Sequence, residues 1–406
     1  MSRRAAWAVW ARLLALLVLG AAVGVALFAA VLAWAQHTPG GEALRYPWEA
    51  TRAFFFEGAN PYHRLTLLYR WAALQGSRVA PDVYFFPVAL IFYGPLALVG
   101  TFAWARAVAA VGLVAGWVAA GLLGGQALRW RGGRGLAAGL FFFALTWFFA
   151  ALTLVTGDVV GWVWTLLVLA LAALLRGRDT LVGAALALAL IRPEVAGLPV
   201  VFLLLWALVH RRWRVWAGFW GVLLLSAAVA FWLLPSWPLA MLRLILKAAP
   251  LVSPRLALAQ AMPGVGSRLG QLMVGLVALN VLMEWWAAAS GSPRHAVWAT
   301  ALSAWGGLLL GTRVVPAAEV MLLLPLGVVW FHWAARWRAY GRHAVLLTAA
   351  LFWALPWFLW RDLLRSPVSH WPRWDVFFLL PLGIWPLLYA VRWWATRPHA
   401  LLDEAS

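Results

Sequence analysis

The chain contains no cysteine, and only one of its 32 basic residues is a lysine, Lys247. The absence of cysteine excludes disulfide bonds, thiolate metal sites and cysteine nucleophiles. Neither a Walker A loop nor a G-x-G-x-x-G sequence is present, which argues against a nucleotide-binding domain and a nucleotide cofactor. The eight histidines are dispersed without an i, i+4 pair, so no metal site is expected. Acidic residues are also scarce, with 13 Asp and Glu against those 32 basic residues.

The chain is rich in apolar residues. Of its 406 residues, 65% are hydrophobic and 11% are charged, and the mean hydropathy is +0.85. Apolar runs of about 20 residues, the length of a transmembrane helix, recur along the chain. The arginines lie scattered in short segments between these runs, which is typical of the positive-inside pattern and of contact with membrane lipids rather than with nucleic acid. The sequence therefore predicts an all-α polytopic membrane protein.

We expect about twelve transmembrane helices, within a range of 10 to 13. The first apolar run is longer than the apolar core of about 7–15 residues in a signal peptide, so we predict an uncleaved span that enters from the cytoplasm. The predicted spans are Leu13–Ala35, Tyr84–Val99, Ala105–Leu128, Leu136–Val155, Val159–Leu175, Leu181–Val209, Val215–Leu234, Leu272–Ala289, Ala296–Leu310, Val320–Trp333, Ala344–Trp360 and Val376–Val391.

The count of twelve conflicts in part with the distribution of arginine. It treats Leu181–Val209 as one broken span, which places His210–Arg214 and the C-terminus in the cytoplasm. It places Arg129–Arg134 and Arg176–Arg178 outside the cytoplasm, as exceptions to the positive-inside rule, which we call the charge rule. Reading Leu181–Val209 as a hairpin satisfies the rule only if an earlier segment is re-entrant. We favour the broken span.

Two long interruptions divide what we take to be a single domain, residues 1–406. The first external loop, residues 36–83, should form short amphipathic helices, and the second covers residues 235–270. The first loop holds Glu42, Glu49, Glu57 and Asp82, four of the 13 acids. A carboxylate at the membrane boundary can act as a general base when partial desolvation raises its pKa. The alternatives are ion pairs with neighbouring arginines for the glutamates and a helix cap for Asp82.

Several other ionisable residues are candidates for substrate binding. Cations on the external side would suit a phosphate group, because Arg offers a planar fork and Lys a point charge. These are Arg45, Arg52, Arg64, Lys247, Arg255, Arg268 and Arg313. Charged groups flanked by apolar spans are costly unless they face a cavity or one another. Asp158, Arg192, Glu194 and Glu319 belong to this second set.

The order of several short motifs resembles bacterial multi-span glycosyltransferases of family eighty-seven, in the GT-C superfamily. The motifs are EGANPYHR (Glu57–Arg64), FFPVALIFYGPLAL (Phe85–Leu98), Gly157-Asp158, Arg192-Pro193-Glu194 and RVVPAAEVMLLLP (Arg313–Pro325). The resemblance implies transfer of a hexose, mannose above all, from a polyprenyl-phosphate donor to a glycolipid or glycan outside the bacterial cytoplasmic membrane. It also implies that Asn60, Tyr62 and His63 shape the substrate loop.

The chain departs from the family at one position. The family usually has a catalytic Asp about fourteen residues before the motif glycine, which here is Gly58, and that count reaches Leu44. Glu42 lies two residues away and Glu49 five residues further on. Either Glu replaces Asp as the base, or the chain is a catalytically silent membrane subunit. A transporter or lipid flippase, with the intramembrane charges along its path, is the other alternative.

Overall fold

The computed structural model describes residues 22, 24–74, 85–130, 132–247, 253–311, 314–365 and 374–396. All regular elements in these ranges are helices. They are α1 (Gly24–His37), α2 (Glu42–Glu57), α3 (Pro61–Leu74), α4 (Phe86–Ala97), α5 (Phe102–Leu128), α6 (Arg134–Thr146), α7 (Phe148–Thr156), α8 (Val160–Leu175), α9 (Asp179–Ala189), α10 (Pro193–Val209), α11 (Trp213–Leu233), α12 (Trp237–Lys247), α13 (Pro254–Ala261), α14 (Gly266–Ala289), α15 (Pro293–Leu310), the 3₁₀ helix η1 (Pro316–Leu322), α16 (Leu323–Arg336), α17 (Arg338–Trp360), α18 (Asp362–Arg365) and α19 (Trp374–Thr396).

Six segments are long and apolar enough to cross a membrane, and a seventh is the pair α6–α7, bent by 44° at Trp147. The six are α5, α11, α14, η1–α16, α17 and α19. Large apolar side chains cover the outer surfaces of all of these except η1–α16, which is mostly buried, and Trp232, Trp286 and Phe358 each expose more than 80%. Such surfaces suit lipid rather than water. The prediction of an all-α polytopic membrane architecture is confirmed, whereas the count of twelve stays a prediction.

The predicted broken span Leu181–Val209 is wrong, because α9 and α10 form an antiparallel hairpin. Arg212, just after α10, donates to Oδ1 of Asp179 at the start of α9 over 3.0 Å. The turn between the helices contains Arg192, which lies at the other end of the bundle. Glycine lets α9 pack tightly on its neighbour, since a Cβ on Gly183 would overlap the backbone oxygen of Val215 in α11.

The predicted span Tyr84–Val99 is also not a separate pass through the bundle. Its helix, α4, lies antiparallel along α2. Trp48 Nε1 donates to the Leu96 oxygen near one end of α4 over 2.8 Å, and the rings of Phe54 and Phe86 are 5.4 Å apart at the other. Trp48 also packs on Phe102, so α5 begins where α4 ends. This arrangement agrees with the alternative in which an earlier segment is re-entrant.

The basic turns therefore gather at one end of the bundle, which we call the basic end. Arg176, after α8, donates to Oε1 of Gln126 near the end of α5 over 3.0 Å. The Arg212–Asp179 bond joins the α10–α11 turn to the α8–α9 turn. Arg129, Arg134, Arg176 and Arg178 thus lie at the same end of the bundle as Arg212, whereas the predicted topology separated them from it. The opposite end, with α2, α4 and the turns at Asp158 and Arg192, is the loop end.

Both long interruptions contribute helices to the loop end. The first forms α2 and α3, as predicted, and the second forms α12 and α13. Trp237 at the start of α12 packs on Phe85, just before α4, with ring centroids 5.8 Å apart. The two interruptions meet there and form a helical layer over the loop end of the bundle.

Candidate functional site at the loop end

A two-glycine turn fixes the first loop to the bundle. The backbone N–H of Gly41 donates to the Val155 oxygen of α7 over 2.9 Å. Gly40 and Gly41 have φ angles of +123° and +83°, which side chains other than glycine rarely adopt. Arg106 holds the same turn, since its Nη1 donates to the Thr38 oxygen over 2.8 Å and its Nη2 to the Val155 oxygen over 3.1 Å. The start of α2 is thereby held against the end of α7.

Glu42 occupies the first turn of α2, directly after the glycine turn. Its Oε2 atom is buried and has no hydrogen-bond partner among the described residues. The free backbone N–H groups at a helix N-terminus favour a negative charge there. Burial raises the pKa of the neighbouring Tyr46, and the charge of Glu42 raises it further. The charge of Glu42 also acts on the guanidinium of Arg106, but its Oε2 atom makes no hydrogen bond to any described residue.

Glu49 and Arg45 form an ion pair instead. Arg45 Nε lies 2.7 Å from Glu49 Oε1 at i, i+4 spacing, and the Arg45 side chain is 58% exposed. This is the ion pair with a neighbouring arginine that we gave as the alternative to a catalytic role for Glu49. Arg52 also has structural partners, because its Nη1 donates to the oxygens of Ala97, the last residue of α4, and of Val99 just beyond it. Of the two glutamates, only Glu42 keeps an unused buried oxygen.

Asp158, Arg192 and Glu194 face one another in a buried cluster. Arg192 Nη2 lies 2.8 Å from Asp158 Oδ2, and its Nη1 lies 3.4 Å from Glu194 Oε1. The side chains are 2%, 4% and 9% exposed for Arg192, Asp158 and Glu194 respectively. Asp158 Oδ1 also accepts the Val160 N–H over 2.9 Å, and this bond begins α8. Two of the turns at the loop end are thus joined by charge.

The surroundings of Asp158 have opposing effects on the pKa of its carboxyl group. Burial raises the pKa of the carboxyl to about 7, the Val160 N–H lowers it, and the negative charge of Glu194 raises it. The Arg192 guanidinium at 2.8 Å favours the ionised form. The cluster carries two carboxylates for one guanidinium, so a proton or a second cation would balance its charge.

Asp158 also lines a small cavity of about 240 Å³ between α4, α5, α7 and α8. Arg106, Thr153 and Leu44 line the same space. Leu44 packs so closely on Gly157 that a Cβ there would lie 2.7 Å from the Leu44 Cβ. The start of α2 and the charged cluster therefore share one wall of the loop end.

Glu319 lies in η1 and is fully buried. Both of its carboxyl oxygens lack a hydrogen-bond partner among the described residues. The helix η1 packs on α7, where Thr153 Oγ1 donates to the Ala317 oxygen over 3.3 Å. A buried carboxyl without partners is costly, which singles out Glu319 as a functional candidate.

The Asn-Pro-Tyr motif forms a turn. Asn60 Oδ1 accepts the backbone N–H of Tyr62 over 3.0 Å at the start of α3. The Tyr62 ring is buried 6.3 Å from the ring of Phe86, whereas His63 and Arg64 are exposed. The motif thus shapes the loop and packs it on α4.

The remaining candidates are exposed or lie outside the described residues. Arg255 in α13 and Arg268 in α14 are exposed. Lys247 ends α12, but its side chain lies outside the described part, as do Asp82 and Arg313. In the described ranges, no group of three His, Asp or Glu side chains is placed to bind a metal ion.

Arg106 is the site residue that our sequence analysis missed. It is only 2% exposed, and its Nε atom is buried without a partner among the described residues. Its guanidinium also stacks on Trp34, 4.1 Å from the ring centroid. The sequence could have pointed to Arg106, because it is the only charged residue in the 27 residues of α5.

Together, the helices and the buried charges define a membrane-type helical bundle with a polar centre at one end. Comparisons with protein-family models, with curated proteins and with solved structures find no match to this chain. The order of motifs therefore remains the basis for relating it to a family.

Proposed function

We propose that this protein is an integral-membrane glycosyltransferase of GT-C type. It transfers a hexose from a polyprenyl-phosphate donor to a glycolipid or glycan acceptor, and mannose is the hexose that we propose. The observation that carries the proposal is the buried, unpartnered Oε2 of Glu42 at the start of α2. The order of sequence motifs supports the assignment.

Glu42 acts as the base of the transfer. It accepts the proton of an acceptor hydroxyl as that oxygen forms a bond to the anomeric carbon of the donor sugar. The bond between this carbon and the phosphate oxygen breaks, and its electron pair leaves with the polyprenyl phosphate. The departing phosphate needs a cation beside it, and Arg45 is exposed three residues further along α2. Its surface ion pair with Glu49 is weak enough to exchange for a phosphate oxygen.

The charge pattern supports an orientation for this reaction. The positive-inside rule assigns the basic end to the cytoplasm and the loop end, with Glu42, to the outside of the cell membrane. In this topology the chain crosses the membrane twelve times, with α4 re-entrant and α9 and α10 counted separately. The crossings are α1, α5, α6–α7, α8, α9, α10, α11, α14, α15, η1–α16, α17 and α19.

The test is transfer of labelled mannose by purified protein in nanodiscs. The donor is a polyprenyl-phosphate mannose, and the acceptor is a crude membrane glycolipid fraction. Loss of a general base lowers turnover by about 10²–10⁴-fold, so we expect Glu42→Gln to lose activity on this scale. Glu49→Gln is the matched control on the same helix and should stay within a few-fold of wild type. Equal activity in wild type and Glu42→Gln would refute the assignment of the base.

A transporter or lipid flippase is the second candidate, and Glu319 favours it. A fully buried carboxyl without described partners is typical of proton-coupled pathways in membranes. In that case wild-type proteoliposomes would move substrate with a pH dependence that Glu319→Gln abolishes, and Glu42→Gln would have little effect. If the protein neither transfers sugar nor moves substrate, the silent-subunit reading applies.

A further inference from the structure

A second and larger cavity opens at the basic end. It has a volume of about 930 Å³ and lies between α5, α6, α8 and α16. Small residues on α5 make room for it, namely Ala120, Gly121, Gly124 and Gly125. Trp117 and Trp164 meet edge to face at its deep end, with ring centroids 6.3 Å apart. This volume lies in the upper part of the range of roughly 300–1,000 Å³ for ligand pockets.

Two arginines stand at the mouth of this basic-end cavity. Arg129 caps α5 in the left-handed conformation, with φ of +54°, and Arg134 begins α6. Both line the cavity and both are exposed. No acidic side chain in the described part of the chain pairs with either guanidinium. Trp130 closes one side of the mouth, since its ring packs 6.5 Å from that of Phe331.

The depth of the cavity matches half a bilayer. Its lining on α5 extends from Trp117 to Arg129, which corresponds to about 18 Å at the rise of an α-helix. Half of the hydrocarbon core of a membrane is about 15 Å thick. An acyl chain that follows this wall therefore runs from the membrane surface to the middle of the bilayer.

We propose that the basic-end cavity binds one anionic phospholipid. Its acyl chains lie among the small residues of α5, and its phosphate lies between Arg129 and Arg134. Charge complementarity selects this occupant, because the apolar interior suits a hydrocarbon chain and the two guanidinium groups, which pair with no acid in the described part of the chain, suit an anion. The site is separate from the loop end, since Arg106 and Arg129 are about 35 Å apart along α5.

Native mass spectrometry of the full-length protein tests this assignment. The protein is released from nanodiscs that contain equal amounts of phosphatidylglycerol and phosphatidylcholine with the same acyl chains. Wild type should retain one phosphatidylglycerol in preference to phosphatidylcholine. Each arginine near a membrane surface contributes about fivefold to the binding of an anionic lipid, so Arg129→Gln/Arg134→Gln should lower that preference about thirtyfold. Arg178→Gln, an exposed arginine at the same end that does not line the cavity, is the matched control.

A second variant tests the apolar part independently of charge. Gly125 lines the cavity and has open space around its Cα, so Gly125→Leu fills the cavity without a clash at Cβ. It should abolish retention of the lipid, whereas Gly139→Leu, on the exposed side of α6, should not. Equal retention of both lipids by wild type would overturn the proposal. So would an equal effect of Arg178→Gln, or full retention by Gly125→Leu.

Discussion

Replacing Arg192 with glutamine should destabilise the protein strongly. The guanidinium lies between the carboxylates of Asp158 and Glu194, and all three side chains are at least nine-tenths buried. Removing it leaves these two acids close together without the guanidinium that lies between them. Loss of one partner from a buried ion pair costs about 3–5 kcal/mol. Since Glu194 also loses its partner, we expect a value in the upper half of this range for Arg192→Gln.

The measurement is the free energy of unfolding in mixed micelles, obtained by titration with SDS and followed by far-UV circular dichroism. Arg45→Gln is the matched control, because it breaks an ion pair of similar length, 2.7 Å, on an exposed helix surface. Exposed pairs contribute about 0–1 kcal/mol, so this variant should stay close to wild type. The double variant Asp158→Asn/Arg192→Gln should be more stable than Arg192→Gln alone, since it removes one of the two negative charges that face each other once the guanidinium is gone.

Two results would refute this reasoning. In the first, Arg192→Gln costs no more than Arg45→Gln, which would mean that water reaches the cluster and screens its charges. In the second, the cost of the double variant equals the sum of the two single costs. Asp158 and Arg192 would then act independently, despite the 2.8 Å between their atoms.

Three further predictions concern the same free energy of unfolding. Gly183→Ala should cost about 1–3 kcal/mol, because the added Cβ overlaps the Val215 oxygen and forces α9 away from α11. Glu319→Met should instead stabilise the protein by about 1–3 kcal/mol, since it removes a buried carboxyl without described partners. Tyr389→Phe should cost about 1 kcal/mol, because the hydroxyl donates to Oε1 of Glu284 over 3.1 Å inside the helical bundle.

Each of these predictions has its own control. Gly221→Ala, on α11 with open space around it, should be neutral or slightly stabilising. A loss of stability in Glu319→Met would show that the carboxyl has a partner that the fold itself requires. For Tyr389→Phe, a smaller cost in a variant that already carries Glu284→Ala would identify the hydrogen bond to Glu284 as a cause, and the remaining cost would measure the bond that the hydroxyl accepts from Asn280 Nδ2 over 2.7 Å.

Composition and apolar run length were sufficient to predict the class of fold and the amphipathic helices of the first loop. They also singled out Asp158, Arg192, Glu194 and Glu319 as charges that should face a cavity or one another, and the first three face one another. Run length failed where a helix did not cross the bundle. The segment of α4 is as apolar as a span, and only its contacts with Trp48 and Phe54 reveal that it lies along α2.

The pairing of helices could not be predicted for a related reason. The turn at Arg192 reads equally well as a break inside one span and as the tip of a hairpin, since both place a proline after a polar residue. The bond between Arg212 and Asp179 decides the matter, and it joins residues 33 positions apart. The unused oxygen of Glu42 depends likewise on a glycine turn that docks on Val155, a contact between segments far apart in sequence.

The short helix α9 has a consequence for how the protein is made. Its 11 residues span about 17 Å, roughly half of the hydrocarbon core of a bilayer. A helix this short is too short to be inserted into lipid as a span of its own. The helices on which it packs, α8 and α11, are longer and strongly apolar. Because α9 packs mainly on α8 and α11, we expect it to enter the membrane stably only after α11 has been synthesised. Arg192, in the turn between α9 and α10, would then cross the membrane together with these two helices.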